Sequence, residues 1–221
     1  AYCPHFTIVK CDKWKSQCTK CVQRRDYSWF FDRSCRVFEK KQQLFQGLDM
    51  TIVTPSYWLK DLVKQSFLKA YPVHVIHNGI DLSVFKPAHD QFRREQRLDN
   101  KKIVLGVSFG WGMKKGLDII TELSKRLPDD YQIVLVGTDD AVDKTLPKNI
   151  LPIHRTQNPQ ELTEIYSAAD VFINPTREEN YPTVNMEALA CGTPVLTFRT
   201  GGSPEMLDET CGSVVNCNDV D

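Results

Sequence analysis

The chain is expected to fold as an α/β protein with a mainly parallel sheet and helices on its faces. Continuous apolar runs recur along its second half, each closed by turn residues, which is the mark of strands buried on both faces. Between them lie segments with apolar residues at spacings of three and four, the stripe of an amphipathic helix. Strands that alternate with helices imply crossover connections, and hence parallel pairing with ligands at the carboxyl ends of the strands.

In order, residues 29–48 predict a helix with a charged face. Residues 50–54 (MTIVT) predict a strand, Pro55-Ser56 opens a helix to about residue 68, and residues 73–76 (VHVI) form a strand running into Asn78-Gly79. Residues 86–102 are polar, carry Pro87, Arg93, Arg94 and Arg97, and read as a connection between two units. The expected division is therefore 1–86 and 87–221. Residues 103–107 (IVLGV) predict a buried strand, and Leu117, Ile120, Leu123 and Leu127 a helix. Residues 132–137 (QIVLVG) predict a strand, followed by a turn-rich stretch through Pro147 and Pro152. A helix near 159–169, a strand over 170–175 (DVFINP), a helix over 184–190 ending at Gly192 and a strand over 194–198 (PVLTF) complete the pattern.

Apolar residues make up 41% of the chain and charged residues 25%, enough for a packed core. Lys+Arg and Asp+Glu both number 28, so no broad basic face is available to grip nucleic acid, although a local basic pocket for a small anion is. No run of 18 apolar residues exists, and the first ten residues do not have the pattern of a signal peptide. The expected location is cytoplasmic.

The most informative stretch is residues 174–205, NPTREENYPTVNMEALACGTPVLTFRTGGSPE. Glu179 falls in the loop after a parallel strand and Glu187 on the helix that follows. A loop carboxylate there can accept hydrogen bonds from sugar hydroxyls, and a helix carboxylate can grip a vicinal diol such as a ribose. The amides that open the helix suit a phosphate or a polar hydroxyl group. Spacing alone leaves the alternative of two solvated surface glutamates.

This stretch resembles the Glu-x7-Glu motif of retaining GT-B glycosyltransferases of sequence family four, the group 1 glycosyltransferases. EENYPTVNMEALACGTPV followed by TGGSPE is similar to the family pattern in its small residues and turns as well as its glutamates. Val75 to Asp81 (VIHNGID), with Phe85 and Pro87, resembles the family passage between its two domains. Glu161-Leu162, Tyr166 and residues 168–172 (AADVF) resemble another. The resemblance implies a GT-B fold: residues 87–221 as the nucleotide-sugar donor domain, and residues 1–86 as the later part of an amino-terminal Rossmann-like domain.

Carried over by residue, the resemblance implies that Glu179 contacts the donor sugar, with the neighbouring Asn180, Tyr181 and Thr183 in the donor site. It implies that Glu187 holds the ribose, and that Lys115, with Gly116, stabilises charge on the leaving diphosphate. His154-Arg155-Thr156 then meets the base, with Arg155 and Thr156 as donor-binding residues. A preorganised cation and helix amides can act where a magnesium ion otherwise would, so no cofactor is required for catalysis. Two departures stand out. The family often carries Gly-Arg about six residues before the lysine, whereas this chain has Ser108-Phe109-Gly110-Trp111, leaving Lys114 as a substitute or as an exposed lysine. The glycine-rich turn and histidine of the family's amino-terminal half are also missing, so the chain is expected to be a fragment, truncated at both ends and inactive alone.

Cys3, Cys11, Cys18 and Cys21 include one C-x2-C pair, and thiolates so spaced suit a structural zinc ion, with His5 as a substitute ligand. Thiols packed around Trp14, or a disulfide, are the alternatives. Cys35, Cys191, Cys211 and Cys217 read as plain small residues. A subgroup of capsule and exopolysaccharide transferases has a similar cysteine passage. The expected activity is transfer of a hexosyl group from a nucleotide sugar, with retention, in polysaccharide biosynthesis. The expected partners are the nucleotide sugar and a glycan or lipid-linked acceptor, with peripheral membrane association as an option and the oligomeric state open. The competing readings are a nucleotide-sugar epimerase of GT-B shape and a non-catalytic zinc-bearing interaction module.

Overall fold

The computed structural model describes residues 11–22, 24, 30–88 and 91–219. The chain divides into two compact units, residues 1–77 and 78–221. The expected division lay at 86/87. Phe85 instead packs against Tyr166 in the second unit, with ring centroids 6.4 Å apart.

The first unit contains helix α1 (Ser34–Phe45), strand β1 (Ile52–Thr54), helix α2 (Tyr57–Lys64) and strand β2 (Val73–Val75). The two strands pair in parallel, with Ile52 opposite Val73. Ser56 caps α2 by accepting the Leu59 amide at 3.1 Å, which satisfies one of the donors that every helix start leaves open. One cluster joins Trp14, Cys18 and Phe38; a second joins Val63, Leu68 and Val73.

The second unit begins its regular structure with the short helix α3 (Gln91–Glu95), followed by β3 (Lys102–Val107), α4 (Leu117–Arg126), β4 (Tyr131–Val136) and α5 (Asp140–Asp143). It continues with β5 (Ile150–Ile153), α6 (Pro159–Ala168), β6 (Val171–Asn174), α7 (Thr183–Ala190), β7 (Val195–Phe198) and β8 (Gly212–Val215). The six strands form one sheet in the order β5-β4-β3-β6-β7-β8, every pair parallel. Successive residues of β3 alternate between two cores: Ile103 and Leu105 face Ile165, Tyr166 and Ala188, while Val104 faces Ile120 and Ile173. Helices α6 and α7 therefore cover one face and α4 the other, as the parallel pattern requires.

Three elements differ from expectation. The stretch expected to be turns holds β5, with Pro152 inside it opposite Leu135. The strand lies at the sheet edge, where a missing N–H removes nothing from the ladder. Residues 212–215 form the opposite edge strand. The polar segment 86–102 contains α3, whose Phe92 is buried and whose Arg93 binds Asp170 Oδ2 at 2.6 Å and the carbonyl of Ala168 at 2.8 Å. Among the described residues no helix is long and apolar enough to cross a membrane.

Candidate functional site

Sheet order reverses between β3 and β6, because β3 runs on to β4 on one side and the chain returns to β6 on the other. At such a switch point the loops leaving two neighbouring strands diverge and open a crevice. A cleft of about 360 Å³ lies there, lined among others by Ser108, Trp111, Lys115, Glu179, Tyr181 and Thr183.

Lys115 ends a single 3-10 turn (Met113–Lys115) between β3 and α4. Gly116 follows at φ +75°, and a Cβ there would lie 2.4 Å from the carbonyl oxygen of Pro175. Glycine is thus required for the lysine turn to lie against the end of β6. Glu179 sits in the loop between β6 and α7. Its Oε2 lies 3.2 Å from Lys115 Nζ, and its Oε1 accepts the Asn180 amide at 3.0 Å. The loop after β7 backs this segment. Gly201, at φ +56°, approaches so closely that a Cβ would stand 2.0 Å from the Glu179 carbonyl oxygen, and Gly202 donates to the Asn180 carbonyl at 2.6 Å.

Glu187 lies one turn along α7 from Thr183, on the same side of the helix. It does not line the cleft itself. Its Oε2 accepts the hydroxyl of the fully buried Tyr166 at 3.0 Å. Burial pushes the Glu187 carboxyl up from the usual carboxylate range, against the hydrogen bonds from Tyr166 and Thr183. Burial, with the Glu187 charge, also pushes Tyr166 well up, so the phenol is the donor of the pair.

The structure brings Lys115, Glu179, Tyr181 and Thr183 to one cleft, with Gly116 and Asn180 in the backbone beside it and Glu187 behind Thr183. Arg155 and Thr156 lie on the loop after β5, at the same end of the sheet but two strands from β3. Neighbouring His154 holds Asp143 at 2.8 Å, and that hydrogen bond raises the imidazole above its ordinary range. Phe109, in the segment where the resembled family carries Gly-Arg, is fully exposed on the rim of the cleft. Lys114 pairs with Glu178 at 3.3 Å and is largely exposed.

Cys3 and His5 lie outside the described residues. Cys11 and Cys21 are partly buried, and Cys18 is buried beside Trp14. Among the described residues, the one group of three potential ligand side chains within metal-sharing distance is Asp140, Asp143 and His154.

The motif reading passed over Arg177 and Asp118. Arg177 forms a two-pronged pair with Asp118, both contacts at 2.7 Å, and also donates to the carbonyl of Met113. Nothing in the spacing of the two residues announces this.

Residues 101–221 match the family described as glycosyl transferases group 1. A D-inositol 3-phosphate glycosyltransferase of Mycobacterium sp. (strain JLS) is 27% identical over 194 residues, covering 81% of this chain and 44% of that protein. The chain thus spans less than half the length of this curated relative. Among solved structures, the sucrose-phosphate synthase of Thermosynechococcus elongatus superposes with a TM-score of 0.71 at 24% identity, covering 91% of this chain and 52% of the other. Anabaena Alr3699/HepE in complex with UDP does so with a TM-score of 0.69 at 18% identity, covering 86% and 56%. Its complex with UDP-glucose gives a TM-score of 0.66 at 18% identity, covering 84% and 55%. With a doubly wound sheet shared with these GT-B structures and a family match over residues 101–221, more than half of the chain, the chain belongs to the glycosyl transferases group 1 family.

Proposed function

We propose that this chain supplies the donor site of a metal-independent glycosyltransferase that moves a hexosyl group from a nucleotide sugar to an acceptor with retention at the anomeric carbon. The observation that carries this reading is the meeting of Lys115 and Glu179 at 3.2 Å in the switch-point cleft. A cation and a carboxylate held together in a crevice are two halves of a site for a sugar diphosphate. The ammonium faces the leaving diphosphate, and the carboxylate accepts from sugar hydroxyls.

As the bond from the anomeric carbon to the phosphate oxygen breaks, negative charge grows on the diphosphate. A cation already in place stabilises that charge without reorganisation. Thr183 and Val184, the first residues of α7, line the same cleft, and the open amides of a helix start are suited to add donors there. Glu187 accepts the ribose hydroxyls, and the loop with Arg155 and Thr156 meets the base. Asn180 and Tyr181 shape the sugar end. Retention is taken from the motif resemblance, and a role in polysaccharide biosynthesis, with a glycan or lipid-linked acceptor, from the likeness of the cysteine passage to that of capsule and exopolysaccharide transferases. The Anabaena structures with UDP and UDP-glucose support a uridine nucleotide as the first donor to try.

The test is calorimetric titration of the chain with UDP, GDP, ADP and their glucose conjugates in EDTA. Saturable binding of at least one nucleoside diphosphate, weakened by Glu187→Ala, supports the reading. No binding of any of them, or binding restored only by a divalent cation, overturns it.

A further inference from the structure

The turn that carries Lys115 has a glycine at each end, Gly112 and Gly116, and no buried side chain of its own. Left alone, such a turn swings. It is instead tied down from the opposite loop: Thr176 Oγ1 donates to the carbonyl of Lys114 at 3.3 Å, Glu178 pairs with Lys114 at 3.3 Å, and Arg177 makes the most contacts. Arg177 places Nη1 and Nη2 on the two oxygens of Asp118 at 2.7 Å each and donates from Nη1 to the carbonyl of Met113. Its backbone N–H donates to the carbonyl of Lys114 at 2.9 Å, and its Nε to Asn218 Oδ1 at 2.7 Å. Its contacts therefore bracket Lys115, from Met113 and Lys114 before it to Asp118 after it. Arg177 is also two residues from Glu179, so one guanidinium joins the backbone on both sides of the Lys115–Glu179 contact. A planar fork can do this because it fixes direction as well as distance; a lysine ammonium cannot.

We propose that Arg177 and Asp118 form a positioning pair that holds Lys115 opposite Glu179. Neither residue touches the donor; both act through Lys115. The inference rests on the reading of Lys115 as the diphosphate cation, and its test separates the two.

Hydrogen exchange and UDP titration in EDTA are measured on the 221-residue chain carrying Arg177→Met or Asp118→Asn. The pair predicts faster exchange at the amides of Lys115, Gly116 and Leu117, with the amides of β3 and β4 unchanged. It predicts a UDP affinity weaker by about tenfold. Lys115→Ala should cost a similar factor in the parent chain, but less than about twofold more in the Arg177→Met background, because the two act as one unit. Arg177→Lys should not rescue. Unchanged exchange in the turn, exchange raised equally across β3 and β4, or, where Lys115→Ala itself weakens UDP binding, losses from Lys115→Ala and Arg177→Met that simply multiply would each overturn the proposal. If exchange in the turn responds as predicted while Lys115→Ala leaves UDP affinity untouched, the positioning pair stands and the diphosphate role of Lys115 fails. Should Arg177→Met not fold, the nearly isosteric Asp118→Asn carries the same comparisons.

Discussion

Replacing Glu187 with glutamine preserves the shape of the side chain and removes its charge. In the native protein Oε2 accepts the Tyr166 hydroxyl at 3.0 Å, and Tyr166 is 0% exposed. An amide oxygen can accept the same hydroxyl, so the buried phenol keeps its partner. Burial raises the Glu187 carboxyl, which means that the folded state takes up protons more readily than the unfolded one. The contribution of this group to stability is therefore fully present below the unfolded value and is lost as pH rises through the folded value. Glutamine has no such dependence. Glu187→Gln should match the parent chain in stability at neutral pH or exceed it by up to about 1 kcal/mol. The difference should shrink as the solution is acidified. Glu187→Ala behaves differently, since it strands the Tyr166 hydroxyl and should cost about 1–3 kcal/mol. Donor binding moves the other way in both variants. Hydrogen bonds from a ribose diol lose their charge assistance in Glu187→Gln, which amounts to about 1–2 kcal/mol, or about 5- to 30-fold in Kd. Thermal melting between about pH 5 and 8, with calorimetric titration of UDP, reads both quantities. A Glu187→Gln chain that melts below the parent at neutral pH and binds UDP equally well would refute both the burial argument and the ribose assignment.

Gly201→Ala should destabilise the second unit by about 1–3 kcal/mol, because φ is +56° and the new Cβ meets the Glu179 carbonyl at 2.0 Å; melting and UDP affinity should fall together, and an unchanged melting temperature contradicts the packing. The Arg177 hydrogen bonds hold Asp118 below its ordinary value of 3.8, so their stabilisation is present above that value and lost as pH falls through the lower folded value. The parent chain should lose stability over that acid range more steeply than Arg177→Met, and identical acid limbs in melting curves would show that the pair carries no linkage.

The strands at the centre of the second sheet were legible because β3, β4 and β6 are continuous apolar runs. The edges were not. Pro152 reads as a breaker, yet an edge strand tolerates it, and Gly212-Ser213 looks like a turn although it pairs with β7. Helix α3 is hidden because Phe92 is its one buried side chain among polar neighbours. Within the site, the Glu-x7-Glu spacing placed both carboxylates on a strand-loop-helix, and the fold puts them there. The Arg177–Asp118 pair had no local signal. Its members are 59 residues apart, and Asp118 alone is an ordinary acid in the first turn of a helix.

The central claim is that a lysine, unaided by a metal ion, holds the diphosphate of the donor in the switch-point cleft. Its most direct test is the ratio of UMP to UDP dissociation constants in EDTA, measured for the parent chain and for Lys115→Ala. UDP carries the charge that a leaving diphosphate acquires, while UMP lacks the second phosphate. The account predicts that the parent prefers UDP by about tenfold or more, the worth of one charge-assisted contact, and that Lys115→Ala reduces the preference to about twofold. A preference for UDP that survives Lys115→Ala intact, or one that emerges only when a divalent cation is added, would contradict it.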